Sequence, residues 1–111
     1  MENRIKTWLT DIKQAITEIE EFLPEKRNFI EFQKDLKTKK AIERNIEIIG
    51  EAINRILNQQ PDITITNARK IVDTRNRVIH NYDTISEDVI WAIVNRDLPK
   101  LEAEIDKLLL E

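Results

Sequence analysis

Residues 41–52 read AIERNIEIIGEA, a stretch in which apolar residues return every three or four positions. The pattern continues in both directions and predicts a long helix from Thr38 to Gln59. Its core face is formed by Ala41, Ile42, Ile46, Ile49, Ala52, Ile53, Ile56 and Leu57. Gly50 stands in the middle of this helix, where glycine costs up to about 1 kcal/mol relative to alanine. We therefore expect another helix to approach closely at Gly50.

Similar patterns predict the other helices, over residues 1–23, 28–36, about 66–81 and about 86–109. Trp8 belongs to the apolar stripe of the first helix, and Thr64 or Thr66 is expected to cap the third of these segments. Pro99 is expected to break or kink the last one. The sequence has no period-two strand pattern, so the predicted fold is all-α. It is an antiparallel bundle of four main helices plus a short extra helix, forming one domain over residues 1–111.

The composition excludes several functional classes. The 111 residues include no cysteine and one histidine, so disulfides and thiol chemistry are excluded and a zinc site is not expected. The formal net charge is −3, which argues against a broad surface that coats nucleic acid. No apolar run approaches a membrane span, and the first residues lack a signal-peptide core. A cytoplasmic protein is expected.

Residues 75–82 read RNRVIHNY and contain the only histidine and the only tyrosine of the chain, His80 and Tyr82. Arg75 falls within an apolar stripe formed by Ala68, Ile71, Val72, Val78 and Ile79. An arginine in that position must be paired, line a cleft or meet a second chain, because an unpaired buried guanidinium is costly. This helix is therefore expected to do more than pack.

Helical geometry restricts how these side chains can meet. Asn76 and His80 are four residues apart and share one face, whereas Arg75 and Tyr82 lie on the adjacent face. Arg75 and His80 are about 140° apart around the helix axis. They can converge on one anion if the arginine reaches around, if the helix ends near His80, or if a second subunit contributes.

The segment RNRVIHNY, supported by AIERNIEIIGEA and by residues 91–99, resembles HepT-like members of the HEPN superfamily over essentially the whole chain. The resemblance implies a helical bundle that forms a homodimer and brings two copies of the motif to one cleft. It also implies a metal-independent endoribonuclease, commonly a toxin, that is paired with an MNT-type nucleotidyltransferase antitoxin. In that family the antitoxin attaches AMP to the tyrosine of the motif.

Carried over to this sequence, the resemblance assigns the motif to Arg75, Asn76, His80 and Tyr82. Arg44 and Glu51 match the family's signature in the second long helix, as supporting residues. Cleavage without a metal uses the ribose 2′-hydroxyl as an internal nucleophile and leaves a 2′,3′-cyclic phosphate. A histidine suits the proton transfer, and an arginine presents a planar fork of donors to phosphate oxygens. No cofactor is needed.

Other interpretations remain open from the sequence. His80 and Tyr82 could simply end a helix and hydrogen-bond its last carbonyls. The protein could be a non-catalytic binding module that docks a nucleotidyltransferase or a nucleotide. Arg44, Glu47 and Glu51 could form a surface row of ion pairs, or could orient Arg75. Trp91 fits either the core or an interface.

Overall fold

Six α-helices make up most of the chain that the structure describes. The computed structural model describes residues 2–80 and 87–111, with only the backbone for residues 77–80. The helices are α1 Asn3–Phe22, α2 Phe29–Lys34, α3 Leu36–Gln59, α4 Ala68–His80, α5 Glu87–Ala92 and α6 Leu98–Leu109. The described residues contain no strand, and the predicted all-α fold is confirmed. Within the described ranges no helix is long and apolar enough to cross a membrane.

Asparagine and aspartate caps set the boundaries of α2 and α3. Asn28 accepts a hydrogen bond from the Glu31 backbone at 3.1 Å, and Asp35 accepts one from the Thr38 backbone at the same distance. Because Asp35 is the cap, α3 begins at Leu36 rather than at the predicted Thr38. Leu36 therefore belongs to α3, not to the short helix, and its side chain is exposed.

The core is one cluster of apolar side chains to which all six helices contribute. Beside it the buried Asn45 of α3 donates a hydrogen bond to the Ala15 carbonyl of α1 at 3.1 Å. Further along α3, Ala52 lines a cleft with Trp8, which lies nearer the start of α1. Residue numbers thus decrease along α1 as they increase along α3, so the two helices run antiparallel.

The start of α4 is held by α6. The helix begins at Ala68, directly after Asn67, which has a positive φ of 61°. The Thr66 hydroxyl and backbone N–H both donate to the Glu104 carboxylate, at 2.7 and 3.1 Å. The prediction that Thr64 or Thr66 caps α4 is therefore wrong: Thr66 is used to fasten the segment before α4 to α6.

The irregularity expected at Pro99 is a π-helical turn just before it. Residues Ile93–Asp97 form this turn, and the Leu98 N–H donates to the Ile93 carbonyl five residues earlier. Pro99 has no N–H, and in a regular α-helix its ring would clash with the carbonyl four residues back. The wider turn relieves that clash, so α5 continues into α6 instead of ending.

Asp97, at the end of this turn, is a buried acid that connects the last helices to α4. Its carboxylate lies 3.1 Å from Lys70 of α4 and 3.1 Å from Arg96. Burial raises the pKa of Asp97, but hydrogen bonds from Arg96 and Lys70 outweigh this effect and hold the pKa below its usual value. The charged form is thus retained in the fold and helps to position α4.

Trp91, whose place the sequence left open, is partly buried and packs against the core. Its ring centroid is 4.9 Å from that of Phe32 and 5.6 Å from that of Phe29. These tilted aromatic contacts attach the short helix α2 to α5. An ion pair of 2.8 Å between Lys39 and Glu87 joins the starts of α3 and α5 beside them.

Candidate active site

The candidate site begins where α3 and α4 touch at Gly50. A Cβ atom built on Gly50 would lie 2.7 Å from Cγ of Arg75, closer still to its Cβ, and 3.4 Å from the Ile71 carbonyl. Real Cβ atoms essentially never come within 3.0 Å of other atoms, so the two approaches to Arg75 would be clashes. The expected close approach at Gly50 is confirmed, and the neighbouring atoms are the aliphatic stem of Arg75.

The guanidinium of Arg75 is held by two neighbours. Nη2 donates to Glu51, the residue after Gly50, and Nη1 donates to Oδ1 of Asn76 at 2.7 Å. Nε is buried and has no hydrogen-bond partner among the described residues. Of the three alternatives for Arg75, the structure shows pairing and a position beside a cleft. The side chain is 21% exposed and lines the cleft.

Glu51 binds a second arginine as well. Its Oε1 accepts a hydrogen bond of 3.1 Å from Nε of Arg55, one turn further along α3. One carboxylate thus lies between two guanidinium groups, Arg55 on the outside and Arg75 on the inside. Of the two interpretations left open for this row of charges, orientation of Arg75 therefore holds for Glu51.

Arg44 is brought to the same cleft but not to Arg75 itself. It pairs with Glu47 at 3.5 Å, and its side chain is 68% exposed. An ion pair this exposed contributes little to stability. Arg44 is therefore an exposed charge that lines the cleft and is not part of the Glu51 pair.

The cleft beside Arg75 has a volume of about 320 Å³. It is lined by Trp8, Asp11, Arg44, Glu47, Ile48, Glu51, Ala52, Arg55 and Arg75. Its walls come from α1, α3 and α4. Apolar side chains form one part of the lining, and charged side chains of both signs form the rest.

The remaining motif residues are only partly covered by the structure. The backbone places His80 at the last position of α4, five residues after Arg75. The side chain of His80 and all of Tyr82 lie outside the described residues, so their predicted roles stay predictions. Asn76 is on the described part of α4, and its amide oxygen faces Arg75.

Two residues of the cleft were missed by the sequence interpretation. Trp8 was assigned to the core stripe of the first helix, but it is only half-buried and forms a wall of the cleft. Its charged neighbour one turn on, Asp11, is the signal that this edge of the stripe faces outward. Arg55 was not among the predicted site residues. It lies four residues after Glu51, a spacing at which opposite charges pair on a helix.

Comparison with known proteins identifies the relatives of this chain. Residues 12–108 match the family described as "Ribonuclease HepT-like". A protein of Thermococcus cleftensis named "Probable ribonuclease HepT" is 38% identical over 97% of this chain and 98% of its own length. A "Putative RNase" of Methanocaldococcus jannaschii is 31% identical over 95% of this chain and 87% of its own length. No solved structure matches the chain.

These similarities cover nearly the whole length of this chain and of each of the two relatives. With the all-α bundle and the arginine held beside a cleft, they define a small helical protein of the HEPN type. The chain belongs to the HepT-like ribonuclease family.

Proposed function

We propose that this protein is a metal-independent endoribonuclease that acts as the toxin of a toxin–antitoxin pair. The observation that carries the proposal is the arrangement of Arg75, which Gly50 admits between α3 and α4 and which Glu51 and Asn76 hold at a cleft. Family membership supports RNA as the substrate. A preorganised guanidinium costs little reorganisation when a phosphate becomes more negative in the transition state.

The proposed reaction is an internal attack by the ribose 2′-hydroxyl on the adjacent phosphate. His80 takes the proton of that hydroxyl, the bond from the 2′-oxygen to phosphorus forms, and the bond to the 5′-oxygen breaks. The departing 5′-oxygen takes up a proton, and the products are a 2′,3′-cyclic phosphate and a 5′-hydroxyl. Arg75 binds the phosphate oxygens through its fork, and Asn76 keeps that fork in place.

The working unit in this proposal is a homodimer with α4 near the two-fold axis. His80 lies about 140° around the helix from Arg75, so these two positions of one chain face different directions. A second copy related by two-fold symmetry supplies the complementary group to each site. Light scattering at micromolar concentration tests this step, and a protein that stays monomeric would contradict it.

Cleavage of single-stranded RNA by the purified protein in EDTA is the main experiment. We expect cleavage that leaves a 2′,3′-cyclic phosphate end. The variants Arg75→Ala and His80→Ala should lose this cleavage while their circular dichroism spectra remain those of a helical protein. Arg75→Lys should restore little activity, because lysine keeps the charge but lacks the planar fork. A folded wild-type protein that never cleaves RNA would favour the other candidate, a non-catalytic module that docks a nucleotidyltransferase.

Control by an MNT-type nucleotidyltransferase antitoxin is the second part of the proposal. The Tyr82 oxygen attacks the α-phosphate of ATP, a phosphodiester to AMP forms, pyrophosphate leaves, and the phenolic proton is released. AMP on Tyr82, two residues after His80, brings a bulky anion to the arginine that RNA needs. Inhibition then follows from occupancy and charge, without unfolding.

Mass spectrometry after co-expression with the neighbouring nucleotidyltransferase tests this control. We expect AMP-sized mass on the peptide that contains Tyr82. The matched variant Tyr82→Phe should remain toxic in the presence of the partner. An unmodified Tyr82 in a silenced complex would show that binding alone is the control.

A further inference from the structure

The cleft next to Arg75 combines two kinds of surface. Trp8 and Ile48, both partly buried, and the buried Ala52 form an apolar wall. The same cleft is lined by guanidinium groups, and the side chain of Arg55 is 57% exposed. An indole face beside exposed cations is the combination with which proteins hold unpaired nucleotides.

The size of the cleft restricts what can enter. A volume of about 320 Å³ is at the lower end of the range for small-molecule sites, roughly 300–1,000 Å³. It suits a single base with part of its sugar and excludes a duplex, whose bases are paired and stacked inside. An entering base would lie within the same cleft that Arg75 lines, so its phosphate would be close to the candidate scissile position.

The charged side chains of the cleft indicate how much of the binding comes from phosphate attraction and how much from stacking. Arg44 is already paired with Glu47, and Glu51 partly neutralises both Arg55 and Arg75. Phosphate attraction is therefore weaker than three free arginines would provide. Stacking must contribute a large share of the binding, and it is tolerant of sequence because every base has a π face.

We propose that this cleft is a subsite for one unpaired nucleotide of single-stranded RNA, whose base stacks on Trp8 and whose phosphate contacts Arg55. The inference rests on the proposed ribonuclease function and names the residues that seat its substrate. Trp8 is a binding residue in this scheme and takes no part in proton transfer.

Fluorescence measures the stacking directly, because the chain contains only two tryptophans. In a Trp91→Phe variant Trp8 is the sole reporter, and phenylalanine preserves the aromatic packing of position 91. The probe is a single-stranded 2′-O-methyl RNA oligonucleotide, which lacks the nucleophile and is not cleaved. We expect saturable quenching of Trp8. In the matched variant Trp8→Phe, which retains Trp91, we expect none.

Steady-state cleavage provides the second measurement. Trp8→Ala should raise KM for single-stranded RNA about 5- to 100-fold, as expected for the loss of one stacked base, with a smaller change in kcat. Trp8→Phe should recover most of the lost affinity, because it restores a stacking surface. Light scattering of the same variants detects the competing occupant, a second copy of this chain. If Trp8→Ala dissociates the oligomer and KM follows dissociation, the nucleotide subsite is refuted.

The failure of this inference is distinguishable from the failure of the proposed function. An unchanged KM in Trp8→Ala, with active cleavage and no quenching of Trp8 by the bound oligonucleotide, overturns the subsite and leaves the ribonuclease intact. Saturable Trp8 quenching in a protein without cleavage keeps the subsite and overturns the ribonuclease.

Discussion

Replacing Gly50 by alanine tests whether the approach of α3 to Arg75 is a tight contact. In an open helix position Gly→Ala stabilises by up to about 1 kcal/mol, because glycine is the poorer helix former. At position 50 the new methyl group would lie 2.7 Å from Cγ of Arg75 and closer still to Cβ. Neither atom is the movable end of a side chain, so α3 and α4 must separate.

The expected magnitude follows from these two opposing effects. Overpacking of this kind costs typically 1–3 kcal/mol. The helix propensity of alanine offsets up to about 1 kcal/mol of it, which leaves a net destabilisation of up to about 2 kcal/mol. For a domain of this length the melting temperature should fall by on the order of 5 °C. RNA cleavage should fall as well, because the stem of Arg75 is displaced.

Urea unfolding at fixed protein concentration, in a double-mutant cycle, is the assay. In an Arg75→Gly background both clashing atoms are absent, and Gly50→Ala should become stabilising by up to about 1 kcal/mol. Arg75→Ala is the matched control: it keeps Cβ, the nearer atom, and should not relieve the clash. Gly50→Ala that stabilises the unchanged Arg75 protein would refute the reasoning.

Three further outcomes follow from contacts around the site. Glu51→Gln should lower cleavage by loosening Arg75, while urea unfolding changes by less than about 1 kcal/mol because the pair is partly exposed. Burial raises the pKa of Asp97, but its hydrogen bonds, including the one from Lys70, hold the folded-state pKa below the unfolded value. Its stabilisation is therefore present above the unfolded pKa, about 4, and should be lost at lower pH; the stability difference from Asp97→Asn in urea unfolding should shrink there. Glu104→Gln should speed amide hydrogen exchange at Thr66 and the first turn of α4, with α1 unaffected as the internal control.

The fold was predictable because its determinants are local. A three- and four-residue apolar period recurs through the chain, and it alone indicates helices that must bury one face. Boundaries were less accurate: Asp35 caps α3, which begins at Leu36 rather than at the predicted Thr38. The π turn before Pro99 was foreseen only as a break or kink, because periodicity does not show how a helix absorbs a missing N–H.

The site was predictable in its residue types but not in its pairing. Arg75 stood out because its position in an apolar stripe requires compensation. The compensating acid, Glu51, is 24 residues away in the chain, and helical spacing relates only residues within one or two turns. Trp8 packs against the core as its stripe predicts, but an apolar stripe does not reveal whether its edge also borders a cleft.

The two consecutive α3 residues at the contact act on different parts of one side chain. Gly50 removes the atom that would exclude the stem of Arg75, and Glu51 binds its forked end. Each departs from what stability alone favours, a glycine within a helix and a partly buried charge. Departures of this kind are expected where function, rather than packing, selects the residue. Because both converge on the same arginine, α3 is best understood as the support that aims Arg75, and α4 as the element that carries it.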